Sequence, residues 1–277
     1  MPVTGGVAEW RETAPSALDG LLGADDLENL RRVLPQDPCR AILPRLVAGA
    51  ATWRPVDDSW LAFDAVLGLA PDAAGALGDR FRKVGAYLRR LHAVAVPGDL
   101  PATGRQLPRD ITMRERIDDV RRWLSAELPI AMPRPSPLPP VLVHGRFSLG
   151  VITWNDPPIV LGWREAGCGE PAVDLAQLLG ELAEIHSTVR SGDPVVRAAA
   201  SAFVAGYARD DRIPRLCATR LHGHIVRTVV EHAALRAVTT GVREPALMLV
   251  RLVSAGLPAF TAGFADRLEP CGRECGC

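Results

Sequence analysis

Beyond residue 171 the chain carries helical signal almost to its end. Runs at 172–185, 195–208, 216–238 and 245–264 keep apolar side chains at three- and four-residue steps. So much consecutive helix confines strands to the first part of the chain and directs the fold toward α+β with a mostly helical second lobe. Two further helices precede this block. Leu77, Phe81, Val84, Leu88, Leu91 and Ala95 fall on one face of a helix that closes at Pro97-Gly98. A second helix starts at a capping box, Thr112 with Glu115 three residues on, and carries Met113, Ile117, Val120, Leu124 and Leu128. A proline-rich connector at 133–140 follows, extended because proline fixes its own φ and restricts the residue before it.

Strand signals are sparse. Residues 25–34 read as helix, after which Pro35, Pro38 and Pro44 interrupt the chain, and no long regular sheet is expected there. Residues 60–66 predict a strand from their aromatic and branched content, and 68–78 a hinge. Residues 141–143 predict a short apolar strand running into His144-Gly145-Arg146. Segments 151–154 and 159–163 then pair as a hairpin across Asn155-Asp156-Pro157-Pro158. No internal repeat is present.

Charge removes one class of partner. The 277 residues hold 32 basic and 32 acidic side chains, without the basic excess usual for nucleic-acid binding, so no DNA or RNA partner is expected. The opening residues lack a charged stretch followed by an apolar run, and no uninterrupted apolar segment of about 18 residues occurs. The expectation is a cytoplasmic protein with no membrane contact and reduced thiols. Cys39, Cys168 and Cys217 then act as small hydrophobes. Cys271, Cys275 and Cys277 close the chain in a cysteine-rich tail. A disordered reduced tail, a metal site completed from elsewhere, and redox or partner attachment are all open readings of that trio. His222 and His224 diverge on a helix and do not form a site by themselves.

One stretch goes beyond periodicity. Val141-Leu-Val-His144-Gly145-Arg146-Phe147, the hairpin, and Gly162-Trp163-Arg164-Glu165 through Gly169-Glu170-Pro171 to Asp174-Leu175-Ala176 together resemble the aminoglycoside phosphotransferase and choline kinase superfamily. The run Leu88-Arg-Arg-Leu91-His92-Ala93-Val94 resembles that family's Leu-x-x-Leu-His-x-Leu signature upstream. The resemblance spans about residues 40–265 and implies a protein-kinase-like fold. An abridged amino-terminal lobe would occupy 1–70, a helical carboxy-terminal lobe 71–265, and the cysteine-rich tail 266–277.

The resemblance also assigns chemistry, and here the sequence departs from it. Where the family places an Asp that orients the acceptor hydroxyl, an Asn on Mg²⁺ and an Asp bridging metal and phosphate, this chain has Arg146, Val151 and Gly162. Arginine neither takes a proton nor ligates Mg²⁺, and valine and glycine offer no side-chain oxygen. The single lysine, Lys83, falls inside a helix rather than on an amino-lobe strand, and Gly5-Gly6 is too isolated for a phosphate loop. No catalytic residue, metal or cofactor is therefore expected.

Asp174 is expected to anchor the loop backbone, as the matching family residue does. His144, Arg146, Arg164 and Glu165 are the ligand-binding candidates, with a satisfied core histidine the alternative for His144. Arg146 and Arg164 would form a basic spot for a carboxylate or phosphate, unless Arg146 pairs with Glu165 or Glu170. The function expected is a pseudokinase, a binding or accessory subunit for a small molecule, a peptide or a partner enzyme. Its arginine- and alanine-rich composition suits a bacterial biosynthetic setting. The alternative is an active phosphotransferase on a hydroxylated small molecule or a peptide Ser/Thr, drawing on Asp156 or Glu165 as non-family ligands. A nucleotide-free lyase or isomerase using His144 or Glu165 is the third option.

Overall fold

A computed structural model describes residues 8–12, 22–47, 50–56, 60–70, 72–96, 100, 111–128, 139–190, 192–208 and 213–269. Strand β1 (Ala8–Glu12) precedes helix α1 (Ala24–Val33), whose Leu27 and Leu30 are buried. Then come β2 (Arg40–Ala41), β3 (Arg45–Val47) and β4 (Ala50–Val56). Among the described residues β1, β4 and β3 form one antiparallel sheet in that order. The sequence does not mark these strands, since charged residues fill Ala8–Glu12 and Ala50–Val56 carries two alanines and a proline in place of an apolar alternation.

Residues 60–66 are not a strand. They turn into helix α2 (Ala62–Val66), and only Leu61 makes an isolated bridge, to Thr153. The Leu61 N–H donates to Asp64 Oδ2 at 2.9 Å, which closes the first turn. Ala62, Ala65 and Val66 are buried at helical spacing, while Trp60 and Phe63, whose bulk suggested a strand, stay exposed. The proposed hinge is shorter than expected, because helix α3 (Ala73–His92) already begins at Ala73. It ends at His92, ahead of Ala95. Helix α4 (Ile111–Glu127) starts one residue before Thr112, so Thr112 lies inside it rather than capping it. The 133–138 part of the connector and the cysteines of the tail lie outside the described residues.

Strand β5 (Val141–Val143) follows, then a 3-10 turn Leu149–Val151, β6 (Ile159–Val160), a second 3-10 turn Trp163–Glu165 and β7 (Gly167–Gly169). The expected hairpin is present in reduced form. Ile152 bridges Val160, Thr153 N–H donates to the Ile159 carbonyl at 2.9 Å, and Leu161 N–H donates to the Val151 carbonyl at 2.8 Å. β5 pairs antiparallel with β7, and β6 runs parallel to β2, which joins the amino-terminal segment to the hairpin.

Helices α5 (Pro171–Thr188) and α6 (Pro194–Tyr207), strand β8 (Ile213–Cys217), helices α7 (Ala218–Thr240) and α8 (Glu244–Thr261), and strand β9 (Leu268–Glu269) complete the chain. β8 was not expected; it pairs parallel with β9. Helix α5 is the axis of this lobe: Leu175, Leu178, Leu179, Leu182 and Ala183 are all buried, and α6, α7 and α8 pack around it. Glu244–Arg267 is, among the described residues, the one helical stretch long and apolar enough to cross a membrane by length and composition. Its Val250, Val253, Leu257 and Phe260 are buried in the core.

Helices α3 and α6 approach most closely at two glycines. A Cβ on Gly85 would overlap the Phe203 carbonyl oxygen and lie 2.9 Å from Tyr207 N; one on Gly206 would overlap the Arg82 carbonyl oxygen and lie 3.0 Å from Ala86 N. Alanine in a helix gains about 1 kcal/mol over glycine, but overlap with a facing backbone costs about 1–3 kcal/mol or more and has no rotamer to relieve it. Gly85→Ala and Gly206→Ala are each expected to destabilise the protein in urea unfolding. Gly78→Ala, in the same helix α3 with nothing within 4 Å of its added methyl, is expected to stabilise it.

Candidate functional site

The loop after β5 is held by one carboxylate. Asp174, in the first turn of α5 and fully buried, accepts from His144 N at 2.7 Å and from Gly145 N at 2.9 Å. A third contact, from Asp174 Oδ2 to His92 Nε2 at 3.1 Å, reaches the end of α3, and His92 Nδ1 lies 2.8 Å from the Tyr207 hydroxyl. The positive end of the α5 dipole favours the negative charge at this position. Burial, with the Asp174 charge adding to it, pushes the Tyr207 hydroxyl well above the usual tyrosine range. In the sequence His92 stands only as part of the family's Leu-x-x-Leu-His-x-Leu signature. Its role in joining α3, α5 and α6 depends on which side chains the fold brings together.

His144 is a satisfied core histidine. Its ring is fully buried, its Nε2 donates to the Leu161 carbonyl at 2.7 Å, and its Nδ1 accepts from Arg146 N at 3.2 Å. Burial lowers its pKa, which keeps the ring in that neutral form. It packs edge-on against Trp163, with ring centroids 4.6 Å apart. Both ring nitrogens are thus engaged inside the protein.

The basic spot expected at Arg146 and Arg164 is neutralised on one side. Arg146 Nη1 reaches Glu165 Oε1 at 3.3 Å, the carboxylate being nearly buried and the guanidinium half-exposed. Arg164 is half-buried, and its carbonyl accepts from Leu22 N at 2.8 Å. Glu170 does not join Arg146. It takes Arg220 at 2.5 Å and lies 3.3 Å from His224 Nε2, while His222 bonds Thr261 at 2.6 Å. Lys83 lies in α3 as expected and bridges Asp79 at 2.9 Å and Asp156 at 2.8 Å, which pins the hairpin tip to the helix. Cys39 is buried, and burial pushes its thiol up to about 12.

Val151 and Gly162 face each other. Gly162 has φ +80°, a conformation side chains rarely adopt, and a Cβ there would lie 2.9 Å from Val151 Cγ1 and 3.5 Å from His144 Cε1. Val151 also belongs to a small apolar cluster with Ile42, Leu46, Ile159 and Leu161, and both Val151 and Leu46 pack against the main core as well. The valine side chain thus occupies the volume that any side chain at 162 would need. The spacing in the chain did not reveal this apposition, because the two residues meet only through the hairpin's return.

A partly buried polar group lies on the other flank, at residues the sequence motifs do not mark. Glu181 accepts from Leu149 N at 2.7 Å, tying the loop to α5, and burial pushes its carboxyl up. One turn on, Glu184 lies 2.8 Å from His232 Nδ1, and the Gln177 amide lies 3.0 Å from His232 Nε2. Burial disfavours charge on His232, but Glu184, supported by Glu181 and opposed by Arg236, outweighs it and raises the pKa.

A family model described as "Phosphotransferase enzyme family" matches residues 30–218. Among solved structures, the choline kinase LicA from Streptococcus pneumoniae is 11% identical over 86% of this chain and 81% of its own, with a TM-score of 0.48. A Plasmodium vivax ethanolamine kinase is 11% identical over 86% of this chain and 73% of its own (TM-score 0.47). An ADP-bound aminoglycoside phosphotransferase, APH(2'')-Ib, is 13% identical over 87% and 83% (TM-score 0.42). No curated protein matches the chain.

Two outcomes test this geometry. Gly162→Ala is expected to destabilise through backbone strain of about 1–2 kcal/mol plus the overlap with Val151. In a Val151→Ala background the overlap component disappears, so a double-mutant cycle in urea is expected to show coupling of about 0.5–2 kcal/mol. For His232, whose folded pKa is raised, the stabilisation is complete below the ordinary histidine value near 6.5 and is lost as pH rises through the folded pKa. The stability gap between wild type and His232→Gln should therefore be widest in mild acid and close as pH is raised past neutrality.

Proposed function

The chain belongs to the phosphotransferase enzyme family and has its kinase-like α+β fold, and from that premise we propose a pseudokinase: a binding or accessory subunit without ATP/Mg²⁺ chemistry. The packing of Val151 onto Gly162 within the Ile42–Leu46–Leu161 cluster carries this reading. Magnesium requires oxygen ligands in near-octahedral order. At the positions where the resemblance puts them, this chain presents a guanidinium paired to Glu165, a partly buried valine and a glycine. These residues do not fit a divalent cation with a nucleotide, and no phosphoryl-transfer step is assigned to them.

The substituted positions also support one another. An acidic side chain restored at 162 meets Val151, which itself packs beside Leu46, Ile159 and Leu161. A rescued enzyme using Asp156 or Glu165 is the competing reading. Both carboxylates are already held by cations, Asp156 by Lys83 and Glu165 by Arg146. The loop itself is as firmly built as an active site would need, through Asp174. On this proposal the scaffold is kept for recognition, with a small molecule, a peptide or a partner protein as ligand, in the cytoplasm of a bacterium.

Thermal unfolding with and without ATP and Mg²⁺ tests the proposal. A ligand at one hundred times its dissociation constant stabilises by about 2.7 kcal/mol, a rise of several degrees. The expected result is no change in Tm at millimolar nucleotide. A clear rise, or nucleotide-dependent phosphorylation of a hydroxylated amine, refutes it.

A further inference from the structure

Between α5 and α7 a chain of polar side chains runs from the protein surface to the backbone of the turn that carries Val151. We propose that this chain is a proton-driven switch: charging His232 turns over the Gln177 amide, and Glu181 passes the change to the Leu149 N–H. Such regulation goes beyond the accessory reading and does not depend on whether nucleotide binds.

The hydrogen bonds fix the state of each member. His232 is partly exposed, and its Nδ1 lies 2.8 Å from Oε1 of the buried Glu184. A carboxylate only accepts, so Nδ1 donates. The Gln177 amide nitrogen lies 3.0 Å from Nε2, and that nitrogen only donates, so Nε2 accepts. The arrangement is that of a neutral imidazole. Gln177 also bonds Glu181 in the sense that favours its carboxylate, which makes the same amide the donor there. Glu181 Oε2 in turn accepts from Leu149 N at 2.7 Å.

A charged imidazole carries N–H on both nitrogens and cannot keep this arrangement, because two donors would then face each other at Nε2. The helices themselves have no room to respond. Gly180 lies against α7 so closely that a Cβ there would come within 3.1 Å of the Thr228 methyl. The side chain of Gln177 does have room, since its terminal torsion is soft and about two-fold. Turning it gives Nε2–H the amide oxygen as acceptor and withdraws the N–H from Glu181. The Glu181 carboxylate then leans more heavily on the Leu149 N–H. Leu149 opens the 3-10 turn Leu149–Val151, so the change arrives two residues from the valine that covers Gly162.

The charges around the ring suit it to this task. Burial disfavours the cation, Glu184 and Glu181 on α5 favour it more strongly, and Arg236 on α7 opposes it. Helices α4 and α8 also pack on α7, and neither contributes to that set. The ring therefore titrates above the ordinary histidine value near 6.5.

An NMR titration of the full chain from mild acid to mildly alkaline pH tests the proposal, with the His232 ring and the Leu149 amide followed in the same samples. The Leu149 amide is expected to move with the apparent pKa of the ring. Glu184→Gln, which leaves Gln177 and Glu181 in place, should lower the ring pKa by about one unit or more, and the Leu149 transition should fall with it. Gln177→Leu should leave the ring titrating and shrink the Leu149 response severalfold, whereas a bare field effect of the ring charge would survive that change. A Leu149 amide that ignores the His232 transition, follows a different pKa, or responds as fully in Gln177→Leu overturns the proposal. ATP and Mg²⁺ are absent throughout, so a nucleotide-dependent rise in Tm refutes the pseudokinase reading and leaves this one standing.

Discussion

A buried carboxylate accepting three donors sets the geometry from which the site is built. Asp174 holds the backbone of His144 and Gly145 and meets His92 from α3, so one side chain fixes a loop, two long helices and, through Tyr207, a third. An uncompensated loss of such a group costs about 3–5 kcal/mol, because it leaves buried N–H donors without an acceptor. The backbone at His144 and Gly145 is thus anchored by a residue other than those at 146, 151 and 162. That separation allows the positions the resemblance associates with metal to change while the scaffold remains.

The changes at those positions form one packing solution. Gly162 takes a positive φ, and Val151 fills the space in front of it. His144 turns inward to the Leu161 carbonyl, and Arg146, displaced toward solvent, finds Glu165. Each neighbour is satisfied by another, and the apolar cluster extends to Ile42 and Leu46 on the amino-terminal segment. Close packing makes such a group costly to revert one residue at a time. This mutual fit, more than any single missing oxygen, gives the pseudokinase proposal its physical basis.

The helical lobe supplies rigidity in two different ways. On one side α3 and α6 meet backbone to backbone across Gly85 and Gly206. On the other, Glu181 and the Glu184–His232 pair place charged and polar groups between α5 and α7, with Glu181 reaching back to the Leu149 amide. Backbone-to-backbone packing thus fixes α3 on α6, while Glu181 ties the loop to α5. The amino-terminal segment joins the rest of the molecule through the pairing of β2 with β6, through Leu27, Leu30 and Leu34 in the main core, and through Ile42 and Leu46 in the small cluster.

Much of this was legible in the chain. Period-3.6 apolar spacing located α3 through α8 to within a few residues, because helical packing is encoded in consecutive residues. The His144-Gly145, Asp174 and Leu91-His92 motifs carried the family and the loop anchor. At α2 the composition of Trp60 and Phe63 predicts a strand, whereas both face solvent and the buried set is Ala62, Ala65 and Val66. Composition says what a side chain is, and burial depends on what the rest of the fold brings against it. For the same reason the sequence alone determined which residues stand at the substituted positions and that none but Arg146 carries a charge. Only the tertiary structure decided that Val151 covers Gly162, that Arg146 meets Glu165 and that His232 sits on Glu184, since these contacts join residues separated by turns and helices whose return paths local spacing does not specify.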